Sequence, residues 1–211
     1  MYSTIMSNFR KPKGFIGGII CSLMNLGHGP MIREVMNQLQ IEPQDTVLDV
    51  GCGGGLAISY MAERASKVYG IDYSDISVRK AGQKNAPAIQ GGKVTIKQTG
   101  VADMSFPDHM FDLVTAFETI YFWDDLSAGL KRIYHSLKPG GRLAIVVEAW
   151  KDGEKKVNCP GAFDCLNLKL YSREELELLL SGSGFVSIEF IKGQRHKWFM
   201  ALSEKSLSEP Q

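Results

Sequence analysis

Cysteine, an excess of charge of either sign and long apolar runs are all scarce in this chain, and each scarcity removes a class of protein. Four cysteines in 211 residues make no disulfide framework. Cys159 and Cys165 form a CxxxxxC pair with no histidine at metal spacing, which reads as reduced thiols. Lysine and arginine total 24 against 23 aspartates and glutamates, a net charge of +1. That balance shows neither the basic footprint of a nucleic-acid binder nor an acidic tail. The one apolar run near the start, Gly14 to Met24, follows Arg10, Lys11 and Lys13 as a signal peptide would. It is too short to span a bilayer and no A-x-A cleavage site follows, so a cytoplasmic setting without a membrane partner is expected. No constellation of metal ligands is visible, so no metal is expected.

What the sequence does have is Val47 to Gly55, VLDVGCGGG. Val47, Leu48 and Val50 are the near-continuous apolar run of a strand covered on both faces. Gly51, Gly53 and Gly55 then occupy alternate positions, where a missing Cβ allows positive φ and close approach to a ligand. Leu56 to Arg64 follows with helical spacing. A strand, a glycine turn and a helix N-terminus present free N–H groups to a polar ligand edge, the layout of a nucleotide-type cofactor site.

The spacing narrows the nucleotide. No lysine follows the glycines, so this is not a phosphate-binding GxxxxGK[ST] loop. A GxGxxG dinucleotide turn would need a small residue at position 56, which is leucine. Asp72, 21 residues after Gly51, ends a second apolar strand, Lys67 to Ile71, near the offset at which an acid accepts hydrogen bonds from ribose hydroxyls. Capping of the helix that starts near Ser74 is the competing role for this region.

The pattern Asp49, Gly51, Gly53, Gly55 resembles the first motif of the class I S-adenosylmethionine-dependent methyltransferases, and LKPGG before a strand from Arg142 to Val147 adds to the resemblance. It spans roughly residues 35–205 and implies an α/β, Rossmann-like sheet of seven strands ordered 3-2-1-4-5-7-6. The last strand would be antiparallel, with helices on both faces. It also implies S-adenosyl-L-methionine as cofactor, held by Asp49, Gly51, Cys52, Gly53, Gly55, Asp72, Tyr73, Asp103, Met104, Phe117 and Glu118. Within that set Asp103 would bind the adenine amino group, with Met104 against the ring. The activity implied is methyl transfer to a small-molecule acceptor by direct displacement. A cofactor-binding protein without catalysis shares the whole motif set, and a nicotinamide oxidoreductase shares the first half of the fold.

Direct displacement needs mainly alignment and exclusion of water. A base matters only if the attacking atom must lose a proton, and Glu118, His28 and Tyr121 are the candidates. Glu118 follows the fourth strand, Phe111 to Phe117, at the carboxyl edge where ligands bind in open α/β sheets.

The remaining organisation is local. Residues 1–30 read as an N-terminal lid or cap, 31–205 as the methyltransferase domain and 206–211 as a flexible tail. A helix is expected over Met31 to Gln40 with Pro30 as its first residue and Ile32, Val35, Met36 and Leu39 as its apolar face. A second is expected over Asp75 to Asn85, and Asp124 or Asp125 should cap a third. Lys138 to Gly141 should stop that helix, and Lys151 to Asn167 reads as an irregular loop. Ser172 and Glu175 fit a capping box, and two closing strands are expected over Phe185 to Ile191 and His196 to Leu202.

Overall fold

The computed structural model describes residues 27–153, 155–157, 169–193 and 198–207. Phe15 to Met24, Cys159 and Cys165 lie outside the described residues. The elements in order are α1 (27–36), β1 (Thr46–Val50), α2 (Leu56–Ala62), β2 (Lys67–Asp72), α3 (Asp75–Lys84), α4 (Ala86–Gln90), β3 (Val94–Gln98) and β4 (Phe111–Phe117). A 3-10 turn (Ile120–Phe122) leads to α5 (Leu126–Ser136), β5 (Leu137–Val147), the hairpin β6 (Trp150–Asp152) and β7 (Lys155–Val157), α6 (Arg173–Ser181), β8 (Phe185–Lys192) and β9 (Phe199–Lys205).

Seven strands form one sheet in the order β3-β2-β1-β4-β5-β9-β8. The first five are parallel, and β9 runs antiparallel between β5 and β8. This is the expected Rossmann-like order, with the strand numbers shifted by the small β6–β7 hairpin. Side chains alternate across the sheet, so each strand feeds two cores. Leu48, Val114, Leu143 and Ile145 pack with Leu130 and Leu176 on one face. Val47, Leu113, Ala144 and Val146 pack with Val35 and Ile58 on the other.

Several local expectations need correction. Helix α1 already runs at residue 27, ahead of Pro30, and ends at 36 rather than 40. Its end tightens into a turn in which Gln38 and Leu39 amides both donate to the Val35 carbonyl. The apolar face is as expected, with Ile32, Val35, Met36 and Leu39 all buried.

Strand β5 starts at Leu137, not Arg142. It pairs Phe111 with Leu137 and then Leu113 with Arg142, so Lys138 to Gly141 loop out of register. Helix α5 ends where Leu137 turns extended (ψ 142°), and Lys138, the residue before Pro139, is kept from resuming the α region. Gly141 has no room for a side chain, since a Cβ would lie 2.8 Å from the Lys138 carbonyl oxygen. The expected loop after Lys151 begins instead as the β6–β7 hairpin. Helix α3 ends at Lys84 and a short α4 follows. Strand β9 runs over Phe199–Lys205, and 194–197 lie outside the described residues. Asp125 is the cap of α5, and the Ser172–Glu175 capping box is complete.

Candidate active site

The glycine turn leaves β1 and sits against the end of β2. Gly51 and Cys52 amides both donate to the Ile71 carbonyl, the Gly53 amide donates to Asp72 Oδ2 at 2.9 Å, and the Gly55 amide donates to the Cys52 carbonyl. Four of the turn's N–H groups are therefore spent within the protein, contrary to the expectation of free donors. The turn offers a ligand closeness rather than a phosphate cradle.

The three glycines do different things, although all have positive φ. A Cβ on Gly51 would fall 2.2 Å from Thr119 Oγ1, and one on Gly55 would fall 2.6 Å from Asn85 Nδ2 and 2.8 Å from Ala81 Cα. Those two glycines make room for the protein itself. A Cβ on Gly53 would meet no protein atom within 4 Å. Gly53 borders open space, which is where a ligand fits.

Asp72 is buried and ties the turn to the next helix, since Oδ1 accepts from the Ser74 amide at 2.8 Å while Oδ2 holds Gly53. The capping role falls to Ser74, the N-cap of α3. Thr99 N donates to the Asp72 carbonyl, which draws the chain after β3 across this edge. That chain carries Asp103, exposed, and Met104, buried. Tyr73 is 37% exposed beside Gly100. Cys52 and Phe117 are buried in the core beneath the turn.

Asp49 lies behind the turn, 2% exposed, with Thr115 Oγ1 donating to its Oδ1 at 2.7 Å. Burial pushes its carboxyl up to about 7; the Thr115 bond opposes that rise and the Asp72 charge adds to it. Burial also raises Asp72, against the Ser74 and Gly53 amides.

A second group gathers where β4 and β5 end. Glu118, half-buried with φ 54°, has its amide bonded to the Val146 carbonyl. Its Oε1 accepts from the Tyr121 hydroxyl at 3.0 Å and, through a short contact, from the Glu148 amide. The Tyr121 hydroxyl in turn accepts from the Ala149 amide at 3.2 Å. His28, from α1, places Nε2 3.6 Å from Glu148 Oε2. Donor atoms of His28, Glu118 and Glu148 all lie within 4.8 Å of one another. Such a grouping suits a shared proton or a cation, and the two hydrogen bonds already at Glu118 Oε1 speak for the proton.

Burial pushes Glu118 up to about 8, helped by the Glu148 charge and opposed by the Glu148 amide and Tyr121. Burial and then the Glu118 charge push Tyr121 well above the ordinary tyrosine value, and burial lowers His28.

All three candidate bases therefore meet in space. The fourth member, Glu148, was assigned no chemistry from the sequence, where it only closes a strand. The available signal was its place at the end of β5, one strand over from Glu118, at the ligand edge of the sheet. The role of Thr115 is also legible only in the fold, and Thr119 Oγ1, expected from the sequence at the site mouth, accepts from Trp123 Nε1 at 3.3 Å. The Trp123 ring packs on Gly129 of α5, so it serves the helix rather than the site mouth.

The raised carboxyls have a consequence for stability. Asp49 and Glu118 bind protons more tightly folded than unfolded, about 7 and about 8 against 3.8 and 4.5. The stability they contribute is therefore complete below about pH 4 and is lost as pH rises through about 7 to 8. We expect the ligand-free protein to lose several kcal/mol of unfolding free energy, on the order of 5, between pH 5 and 8.5 from these groups. Asp49→Asn should flatten the slope, and urea melts at four pH values would read it. Parallel slopes in variant and parent would remove Asp49 from this account.

A mixed sheet of five parallel strands and an antiparallel edge, with a glycine turn after β1, an acid ending β2 and titratable groups collected at the carboxyl ends of β4 and β5, is the layout of a nucleotide-type cofactor domain of the α/β class. Residues 48–145 match the family described as a methyltransferase domain. An O-methyltransferase, resE, from Aspergillus sclerotiorum is 31% identical over 168 residues, covering 76% of this chain and 62% of the relative. A ubiquinone/menaquinone biosynthesis C-methyltransferase, UbiE, from Geotalea daltonii is 34% identical over 54% of this chain and 50% of the relative. A solved SAM-dependent methyltransferase from Aquifex aeolicus superposes with a TM-score of 0.67 at 21% identity, over 82% of this chain and 88% of that one. Residues 48–145 thus carry a methyltransferase domain, and the chain is similar to S-adenosylmethionine-dependent methyltransferases. It spans 62% and 50% of the two curated relatives named here. No helix among the described residues is long and apolar enough to cross a membrane.

Proposed function

We propose that this chain moves a methyl group from S-adenosyl-L-methionine to a small-molecule acceptor by direct displacement. The observation that carries the reading is the open space at Gly53, bordered by Asp72 and by the loop that bears Asp103. In it Asp72 accepts from the ribose hydroxyls and Asp103 from the adenine amino group, with Met104 and Tyr73 beside the ring. Gly51, Cys52 and Gly55 shape the turn, Asp49 and Phe117 support it from below, and Glu118 stands toward the reacting end. When bound, the cofactor supplies an electrophilic methyl group.

A relative that methylates oxygen and another that methylates carbon leave the acceptor atom open for this chain. The even charge balance supports a small molecule over nucleic acid and accords with a cytoplasmic setting. Residues 1–30 are proposed as a cover over the reacting end. Only 27–30 of them are described, and these lie in α1 and carry His28 to Glu148.

Calorimetry tests the cofactor. The purified chain is expected to bind S-adenosylmethionine and S-adenosylhomocysteine at micromolar strength and NAD not at all. The spent amides of the glycine turn are the reason, because a pyrophosphate would find few donors there. Methyl-labelled S-adenosylmethionine incubated with pooled small molecules then reads transfer. NAD binding without S-adenosylhomocysteine binding would sink the proposal.

A further inference from the structure

At the ends of β4 and β5 two groups are closed in and two are partly open. Tyr121 is committed on both sides, donating to Glu118 and accepting from Ala149. Glu118 Oε1 is shared between Tyr121 and the amide of Glu148. The Glu148 and His28 side chains are instead 27% and 26% exposed, with His28 Nε2 3.6 Å from Glu148 Oε2. Two carboxylates this close do not both ionise cheaply, and burial raises the more enclosed Glu118.

Resting on the methyl-transfer reading above, we propose that Glu148 is a catalytic residue that takes a proton from the acceptor. His28 carries that proton on toward water, and the acceptor attacks through an oxygen or nitrogen that bears a hydrogen. Glu118 and Tyr121 are positioning residues that hold the start of the Glu148 segment. The lone pair of the acceptor bonds to the methyl carbon as the carbon–sulfur bond breaks with its electrons to sulfur. The acceptor's proton passes to a Glu148 carboxylate oxygen. His28, kept neutral by burial, receives it at Nε2 and releases it to water. An acceptor that attacks as a thioether or halide has no proton to lose and needs none of this. Among the described residues, the groups that face Glu148 include His28 from α1, Glu118 from the end of β4 and Tyr121 from the 3-10 turn.

The test uses the full chain with Glu148→Gln, Glu148→Asp and His28→Gln. Methyl-labelled S-adenosylmethionine is offered with a series of substituted phenols and, separately, a series of primary alkylamines, from pH 5.5 to 9. The parent is expected to methylate members of one series, which tells oxygen from nitrogen. Glu148→Gln should lose about 100-fold or more in kcat, keep S-adenosylhomocysteine affinity within about threefold, and lose the acidic limb of the kcat/KM profile. Glu148→Asp should restore that limb, and His28→Gln should lower kcat by about tenfold.

Four results would overturn the proposal: S-adenosylhomocysteine binding with no transfer to either series, a Glu148→Gln enzyme within threefold of the parent, an unchanged pH limb, or Mn2+ bound at micromolar strength through Glu148. Absence of S-adenosylhomocysteine binding would instead bring down the methyl-transfer reading itself.

Discussion

Gly53→Val is expected to weaken S-adenosylhomocysteine binding by about 100-fold or more, close to 3 kcal/mol, in a protein that still folds. The added Cβ would meet no protein atom within 4 Å, so nothing in the fold resists it sterically. Its backbone at φ +51° costs about 1–2 kcal/mol for a residue with a Cβ, and somewhat more for a β-branched one. The branched side chain then fills the space left for the ligand. Gly53→Ala carries most of the same backbone cost with less bulk, and is expected to fall between valine and parent in affinity.

Gly55→Ala should behave in the opposite way. Its Cβ would sit 2.8 Å from the α-carbon of Ala81 in α3 and 2.6 Å from Asn85 Nδ2. That amide cannot simply swing aside, because it holds the carbonyls of Gly55 and Ala81. We expect a loss of about 3 kcal/mol or more in stability, the scale of overpacking added to a strained φ. Urea melts and calorimetry on the same preparations separate the two effects. Unchanged binding in a folded Gly53→Val protein would move the ligand away from this turn.

Asp72→Ala is expected to cost about 30- to 300-fold in affinity for S-adenosylhomocysteine. Hydrogen bonds to a charged acceptor account for about 1.5–3 kcal/mol. The structure adds a second loss, because the same carboxylate positions the Gly53 amide and the Ser74 amide that opens α3. Removing it frees the ligand-facing glycine as well as the ribose acceptor, and a modest fall in stability should accompany the lost binding. Asp72→Asn is expected to be nearly as harmful, since one of its two amide-facing oxygens becomes an N–H2 group aimed at a donor. If Asp72→Ala bound S-adenosylhomocysteine within threefold of the parent while folded, the residue would leave the proposed site.

Much of this was legible before the fold. The run Val47 to Val50 with its glycines, the apolar face of α1 and the capping box at Ser172 and Glu175 all rest on neighbours a few positions apart. The hairpin at Trp150 to Val157 was missed because its polar residues carry no apolar alternation. The Lys138 to Gly141 bulge was read as a plain stop because Pro and Gly end helices whatever follows them. Its register against Phe111 is visible only once β4 and β5 are paired.

The sequence by itself determined the class of the domain, the order of strand, glycine turn and acid, and which residues could do chemistry, because those follow from backbone geometry and side-chain type over short spans. Only the tertiary structure decided that the glycine amides turn inward to Ile71 and Asp72, that Gly53 alone of the three faces open space, and that His28 reaches Glu148 beside Glu118. Those facts depend on parallel strands brought side by side through crossovers and on a helix laid over their ends. Separation along the chain carries no record of which distant side chains such packing will join.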